Sequence, residues 1–304
     1  MKYRPFIILF SILSLTTLSA CTVTSTADEH INQTSKVTVA EVRDFSVIDK
    51  QITALNNQYG AKNVLVVSDI DNTLLTSTSD LGGDIWYQWQ RGKLPIKPDD
   101  TQTVDCLFED TIGLLYELNP MVPTEPNLDK RVAAWQQQGN TVIALTSRSP
   151  RYRTATEREL YRNGFDLSLA AIKDADTHGD TPTIYRQTLE REMSYSQGIM
   201  MTTGMNKGTM LHWLLTQTGQ TYRAIVFIDD SKKNIDDMYA GWQNDNTAVH
   251  IFYYTRIEHE RITANGSVLT TEQANKMASD YQKLTTTLQQ VFPERPTQHC
   301  LSVR

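Results

Sequence analysis

Apolar positions along the chain fall into two alternating patterns. Short runs in which nearly every side chain is apolar occupy 64–68, 141–145, 198–202, 224–228 and 249–254, as strands buried on both faces do. Longer amphipathic stretches at 128–138, 154–162, 207–217 and 233–241 separate them, and each stops at or near a glycine (Gly139, Gly164, Gly219, Gly241), a common helix terminus. The alternation predicts an α/β fold with a doubly wound parallel sheet. Two intervals are too long for simple crossovers. The first, 76–127, follows the first expected strand and holds Gly82-Gly83, the aromatic group Trp86, Tyr87 and Trp89, a proline-bearing stretch and a helical run at 107–118. Loops at the C-terminal ends of parallel strands surround the ligand crevice, so this insertion is expected to be a cap, its aromatics either facing a ligand or filling a core of their own. The second, 165–197, is polar and carries no clear period. A final helix over 270–292 is expected to pack on the sheet edge.

The first residues follow a different pattern. Met1-Lys2-Tyr3-Arg4 is a short basic region leading into an apolar run that ends at Leu15, too short to span a bilayer and followed by small residues, as in a secretory signal. The segment closes with Leu18-Ser19-Ala20-Cys21, which resembles the lipobox of bacterial lipoproteins, in which the cysteine is lipidated. On that resemblance residues 1–21 are a signal peptide, Cys21 carries the anchor, and Thr22 weakly favours the outer membrane. An ordinary signal peptide cut near Ala20 would export the chain equally well. Residues 22–40, rich in Thr, Ser and charge, read as a flexible tether, with a single domain over 41–304.

Composition narrows the classes of function. With 304 residues, 39% of them hydrophobic, the chain can bury a substantial core. Its net charge of −6 argues against broad nucleic-acid binding, which needs a basic face. Beyond Cys21 only Cys106 and Cys300 remain; they are a disulfide or two buried thiols, and no CxxC or Cys/His cluster suggests zinc.

The chemistry concentrates in Val66–Leu75, VVSDIDNTLL, where Asp69 and Asp71 follow the first apolar run. On extended backbone residues i and i+2 point the same way, and two carboxylates held together call for a cation or a shared proton. A calcium loop would need Gly at its sixth position and Glu at its twelfth; Leu74 and Asp80 stand there. Three further signals follow in order: Thr146-Ser147-Arg148 at the end of the second strand, Lys207 at the start of a helix, and Asp229-Asp230 after the run 224–228. Singly, each has an ordinary structural reading as a turn residue, a surface charge or a helix cap.

Taken in order, the motifs resemble those of the haloacid dehalogenase (HAD) superfamily, most of whose members are phosphatases, with similarity to its secreted, class B acid phosphatases. The resemblance covers roughly residues 63–254 and implies a HAD-like, Rossmannoid fold. It implies Asp69 as nucleophile and Asp71 as general acid and base. It also implies phosphate-binding Thr146, Ser147 and Lys207, and Mg²⁺ held by Asp69, the Asp71 backbone carbonyl and Asp230. Asp229 is either a further metal ligand or an orienter of Lys207, and Thr73 is expected to brace the loop by hydrogen bonds. Asn234 stands where many members carry another Asp. Dehalogenases lack the second aspartate, so a phosphate monoester of a small molecule is the expected substrate. No P-loop, GxGxxG or GxSxG sequence supports another chemistry. The alternatives are a phosphotransferase, or a surface lipoprotein that keeps the fold and works as a binding module.

Overall fold

Strand β2 (Val64–Ser68) is buried at every position, and its alternation decides how the molecule is layered. Val64 and Val66 point into one core with Phe45, Ile48, Leu128, Val132 and Trp135, whereas Leu65 and Val67 point into another with Met210, Leu211, Leu214, Ile235 and Met238. A strand with period-two side chains that are apolar on both sides must be covered on both faces. The computed structural model describes Met1, residues 36–176, 181–295 and Cys300, and shows how that cover is supplied.

The main sheet has eight strands. In spatial order they are β1 (Val37–Val42), β10 (Ala248–Tyr254), β9 (Ala224–Asp229), β2, β5 (Thr141–Thr146), β8 (Ile199–Met201), β7 (Glu192–Ser196) and β6 (Tyr185–Thr188). Pairing is parallel from β1 through β8, and the last two strands add an antiparallel edge. Helices α1 (Phe45–Tyr59) and α4 (Leu128–Gln137) cover one face; α6 (Lys207–Thr218) and α7 (Lys232–Trp242) cover the other. The expected α/β doubly wound sheet is therefore present, and the reversal of winding beside β2 leaves a crevice at the strand ends.

The N-terminal boundary needs correction. Val37–Val42 pairs in register with β10 from Val37↔Val249 to Val42↔Tyr254, so the expected tether does not reach residue 40 and the insertion follows the second strand of the chain. Only Val37 and Val42 of β1 are buried, because an edge strand needs little apolar surface, and its pattern hid it. The lipobox residues, Cys21 included, lie outside the described residues. No described helix is long and apolar enough to cross a membrane.

The insertion is tied at its base by an antiparallel ribbon of β3 (Leu75–Ser77) and β4 (Met121–Pro123). It carries α2 (Asp84–Gln90) and α3 (Ile112–Leu118). Trp86 and Trp89 are fully buried in a third core with Leu107, Ile112 and Leu115, so these tryptophans fill a core of the insertion's own and, of the three aromatics, only Tyr87 stays half-buried. The last helix, α9 (Thr271–Val291), does not lie on the sheet edge: Ala274 and Met277 join the insertion's core. Its start is fixed by a capping box in which Thr270 and Gln273 satisfy each other's backbone. Cys106 and Cys300 form a disulfide on the same side of the molecule. The interval 165–197 contributes the β6–β7 hairpin.

Candidate active site

Four chain segments end at the crevice, each for a local reason. After β2 the chain makes one further ladder bond, Asp69 N–H to the Ile228 carbonyl at 2.8 Å, then turns. Asn72 takes a left-handed backbone (φ 54°), a conformation asparagine tolerates, and both Thr73 and Leu75 N–H return to the Ile70 carbonyl. This sharp turn aims Asp69 and Asp71 at different partners. The Thr73 brace runs through its backbone: its carbonyl accepts from the Thr124 hydroxyl at 2.5 Å, while its own buried hydroxyl has no partner.

Lys207 is the first residue of α6, and Asn206 before it caps the helix by accepting from Thr209 N–H. Its side chain is 0% exposed. Nζ donates to Asp69 Oδ1 and to Asp229 Oδ2, both at 2.6 Å. A buried ammonium is costly without such partners. Burial works against its charge, but Asp229 and Asp69 outweigh that and raise its pKa. Asp229 spends its oxygens on this arrangement: it accepts from Lys207, from Ser231 N–H at 2.9 Å and from Asn234 Nδ2 at 3.0 and 3.1 Å. Asn234 thus supplies donors that hold Asp229 against Lys207.

Asp71 meets none of these groups. It is gripped by Arg148, which donates from Nε to Oδ2 at 2.8 Å and from Nη2 to Oδ1 at 2.7 Å. Thr146, buried at the end of β5, accepts the Arg148 backbone N–H at its hydroxyl at 3.2 Å, while Ser147 is exposed beside it. Arg148 and Asp84 are the residues that sequence reasoning left without a role. Arg148 was visible only as the end of Thr-Ser-Arg. Asp84 was marked by nothing beyond its place after Gly82-Gly83. Its Oδ2 accepts from Asn72 Nδ2 at 3.1 Å and from Gln88.

The carboxylates raise one another's pKa. Burial is the largest cause for Asp69, pushed up to about 7 against the pull of Lys207, with Asp229 and Asp71 adding to the rise. Burial and then Asp71 push Asp84 up to about 6. Asp230 is raised by burial, then by Asp84 and Asp69. Such crowding is relieved by a cation. Oxygen atoms of Asp69, Asp229 and Asp230 lie within 4.8 Å of one another, and this all-oxygen set suits a hard ion such as Mg²⁺. Because Lys207 and Asn234 already occupy Asp229, the donors left are Asp69 and Asp230.

A protein of Chlamydia pneumoniae, provisionally named as an outer membrane protein, is 23% identical over 201 residues, 64% of this chain and 69% of that protein. Among solved structures, the class C acid phosphatase from Bacillus anthracis aligns with a TM-score of 0.38 at 12% identity over 78% of this chain and 86% of that one. Cytosolic 5′-nucleotidase IIIB bound to cytidine aligns with a TM-score of 0.34 at 10% identity over 79% and 92%. Residues 41–294, from β1 past the end of α9, match the family described as protein of unknown function, DUF2608, and the chain belongs to that family.

Proposed function

We propose that this chain is a Mg²⁺-dependent phosphatase that hydrolyses phosphate monoesters of small molecules through an aspartyl-phosphate on Asp69. The observation that carries the reading is the buried Lys207, placed between Asp69 and Asp229 with the Asp230 carboxylate beside them. That arrangement offers a nucleophile, a fixed cation and a metal-ligand set at one point of the crevice. Asp69 attacks phosphorus in line, and the bond to the leaving oxygen breaks as Asp71 gives that oxygen a proton. Water then attacks the same phosphorus and gives its proton to Asp71, and the Asp69–phosphorus bond breaks to release phosphate. Proton transfer of this kind contributes ~10²–10⁴-fold. Lys207, Thr146 and Ser147 hold the equatorial oxygens as charge grows on them. Asp229 orients Lys207. Mg²⁺, held by Asp69, Asp230 and the Asp71 carbonyl, would neutralise phosphoryl charge. Purified residues 22–304 should turn over p-nitrophenyl phosphate with Mg²⁺ and stop when EDTA is added. Asp69→Asn should stay folded and inactive, and full activity in that variant would sink the mechanism.

The same reading places the enzyme outside the cytoplasm, lipid-anchored through Cys21 to a bacterial membrane facing the periplasm. The Cys106–Cys300 bond supports an oxidising compartment. Cys21→Ser should release the protein from membranes, and unchanged partitioning would refute the anchor.

A further inference from the structure

Arg148 touches more of this crevice than any motif assigns to it. Its guanidinium is buried, and besides the two-pronged grip on Asp71 it donates from Nη1 to the Thr156 hydroxyl at 3.0 Å and from Nη2 to Met121 Sδ at 3.3 Å. The Tyr116 ring of α3 lies over it, 4.0 Å from ring centre to Cζ. Tyr116 packs edge-on against Tyr152 at 5.3 Å, and Tyr152 in turn donates to the Phe108 carbonyl at 2.8 Å. Asp71 and Thr156 belong to the core, whereas Tyr116, Met121 and Phe108 belong to the insertion. The Arg148 main chain also joins both halves of the phosphate site, donating to Thr146 and accepting Thr203 N–H at 3.1 Å ahead of Lys207.

We infer that Arg148 is a positioning residue that couples the cap to Asp71, with Tyr116 as the cap's hold on it. A planar guanidinium facing a carboxylate in two parallel hydrogen bonds fixes the plane of that carboxylate. Each Asp71 oxygen then spends one lone pair on arginine and keeps the other directed for proton transfer. Arg148 also supplies the positive charge that lets Asp71 stand near Asp69 and Asp84. The Tyr116 face lies against the buried guanidinium and rewards the docked position of the cap. The proton-transfer group is thereby aligned when the cap is seated. The inference rests on the reading of Asp71 as proton donor and acceptor.

The test compares kcat/KM, which reports the step up to leaving-group departure, on two esters with Mg²⁺ present. p-Nitrophenolate leaves without a proton; the alkoxide of glycerol 2-phosphate does not. Tyr116→Leu and Arg148→Lys should lower kcat/KM on glycerol 2-phosphate by about tenfold or more relative to any fall on p-nitrophenyl phosphate, within the ~10²–10⁴-fold span of general acid catalysis. Tyr116→Phe, which keeps the ring face, should retain the wild-type ratio of the two. A fall by the same factor on both esters, or no fall on either, overturns the coupling. A wild-type protein inactive on both removes the phosphatase reading first, and is seen before any variant is made. Should Arg148→Lys fail to fold, the Tyr116 pair decides alone.

Discussion

At the scale of single residues, Lys207 has the most to lose. Lys207→Met would leave Asp69 and Asp229 facing each other in a buried space, and removing one partner of a buried ion pair costs about 3–5 kcal/mol. Chemical denaturation should show that loss, and activity should vanish with it. Asp84 makes a quieter prediction. Its carboxyl, raised from 3.8 to about 6 by burial and Asp71, keeps its proton in the folded protein over a range where the unfolded chain has released it. Stability contributed by that proton is full below pH 4 and is lost as pH rises through about 6. Asp69, at about 7, extends the same fall upward. Asp84→Asn should flatten the melting temperature of metal-free protein between pH 4 and 6, and an unaltered profile would discount the burial of this carboxyl. Little of this was legible from residue types alone. Asp69, Asp71, Lys207 and Asp230 were marked by position at strand and helix ends. The grip of Arg148, the donors of Asn234 and the approach of Asp84 depend on side-chain direction, which spacing does not encode.

At the scale of elements, α6 and α7 meet at two glycines, and this contact seats Lys207. A methyl group on Gly208 would come within 2.7 Å of the Asp237 carbonyl, and one on Gly241 would sit 3.4 Å from Gly208 Cα. Gly208→Ala should therefore push α6 off α7, costing about 1–3 kcal/mol as overpacking does and lowering kcat through the neighbouring lysine. Gly266→Ala meets no atom within 4 Å but sits at positive φ, so it is a poor control. Buried strands and their glycine-ended helices could be read because burial on both faces leaves a continuous apolar run. Helix α1 precedes the alternation of apolar runs and amphipathic stretches, although Phe45, Ile48, Ile52 and Leu55 keep helical spacing between the Asp44 cap and Gly60. Strand β1 and the β6–β7 hairpin lie at sheet edges, where exposure dilutes the pattern. The placement of α9 could not be read either, since an amphipathic helix names its buried face and not its partner.

At the scale of the whole molecule, charge and metal should be linked. A hard cation among Asp69 and Asp230 would offset the repulsion that raises both, so Mg²⁺ should lift the melting temperature more at pH 7.5, above the value of about 7 to which Asp69 is pushed, than at pH 5, where Asp69 holds its proton. Equal shifts at both values would speak against these ligands. The Cys106–Cys300 bond spans 194 residues in sequence and ties the insertion to the chain beyond α9. Removing it by Cys300→Ser should cost about 2–4 kcal/mol in guanidinium denaturation. Its span also sets an order of events. Cys106 emerges early from any channel through which the chain is threaded, and must wait for Cys300. Throughout that delay the sheet can assemble and its lysine can find its carboxylates, while the insertion has no covalent fastening. Maturation would then end at the insertion, making the closing of one bond a clock for when the molecule is finished.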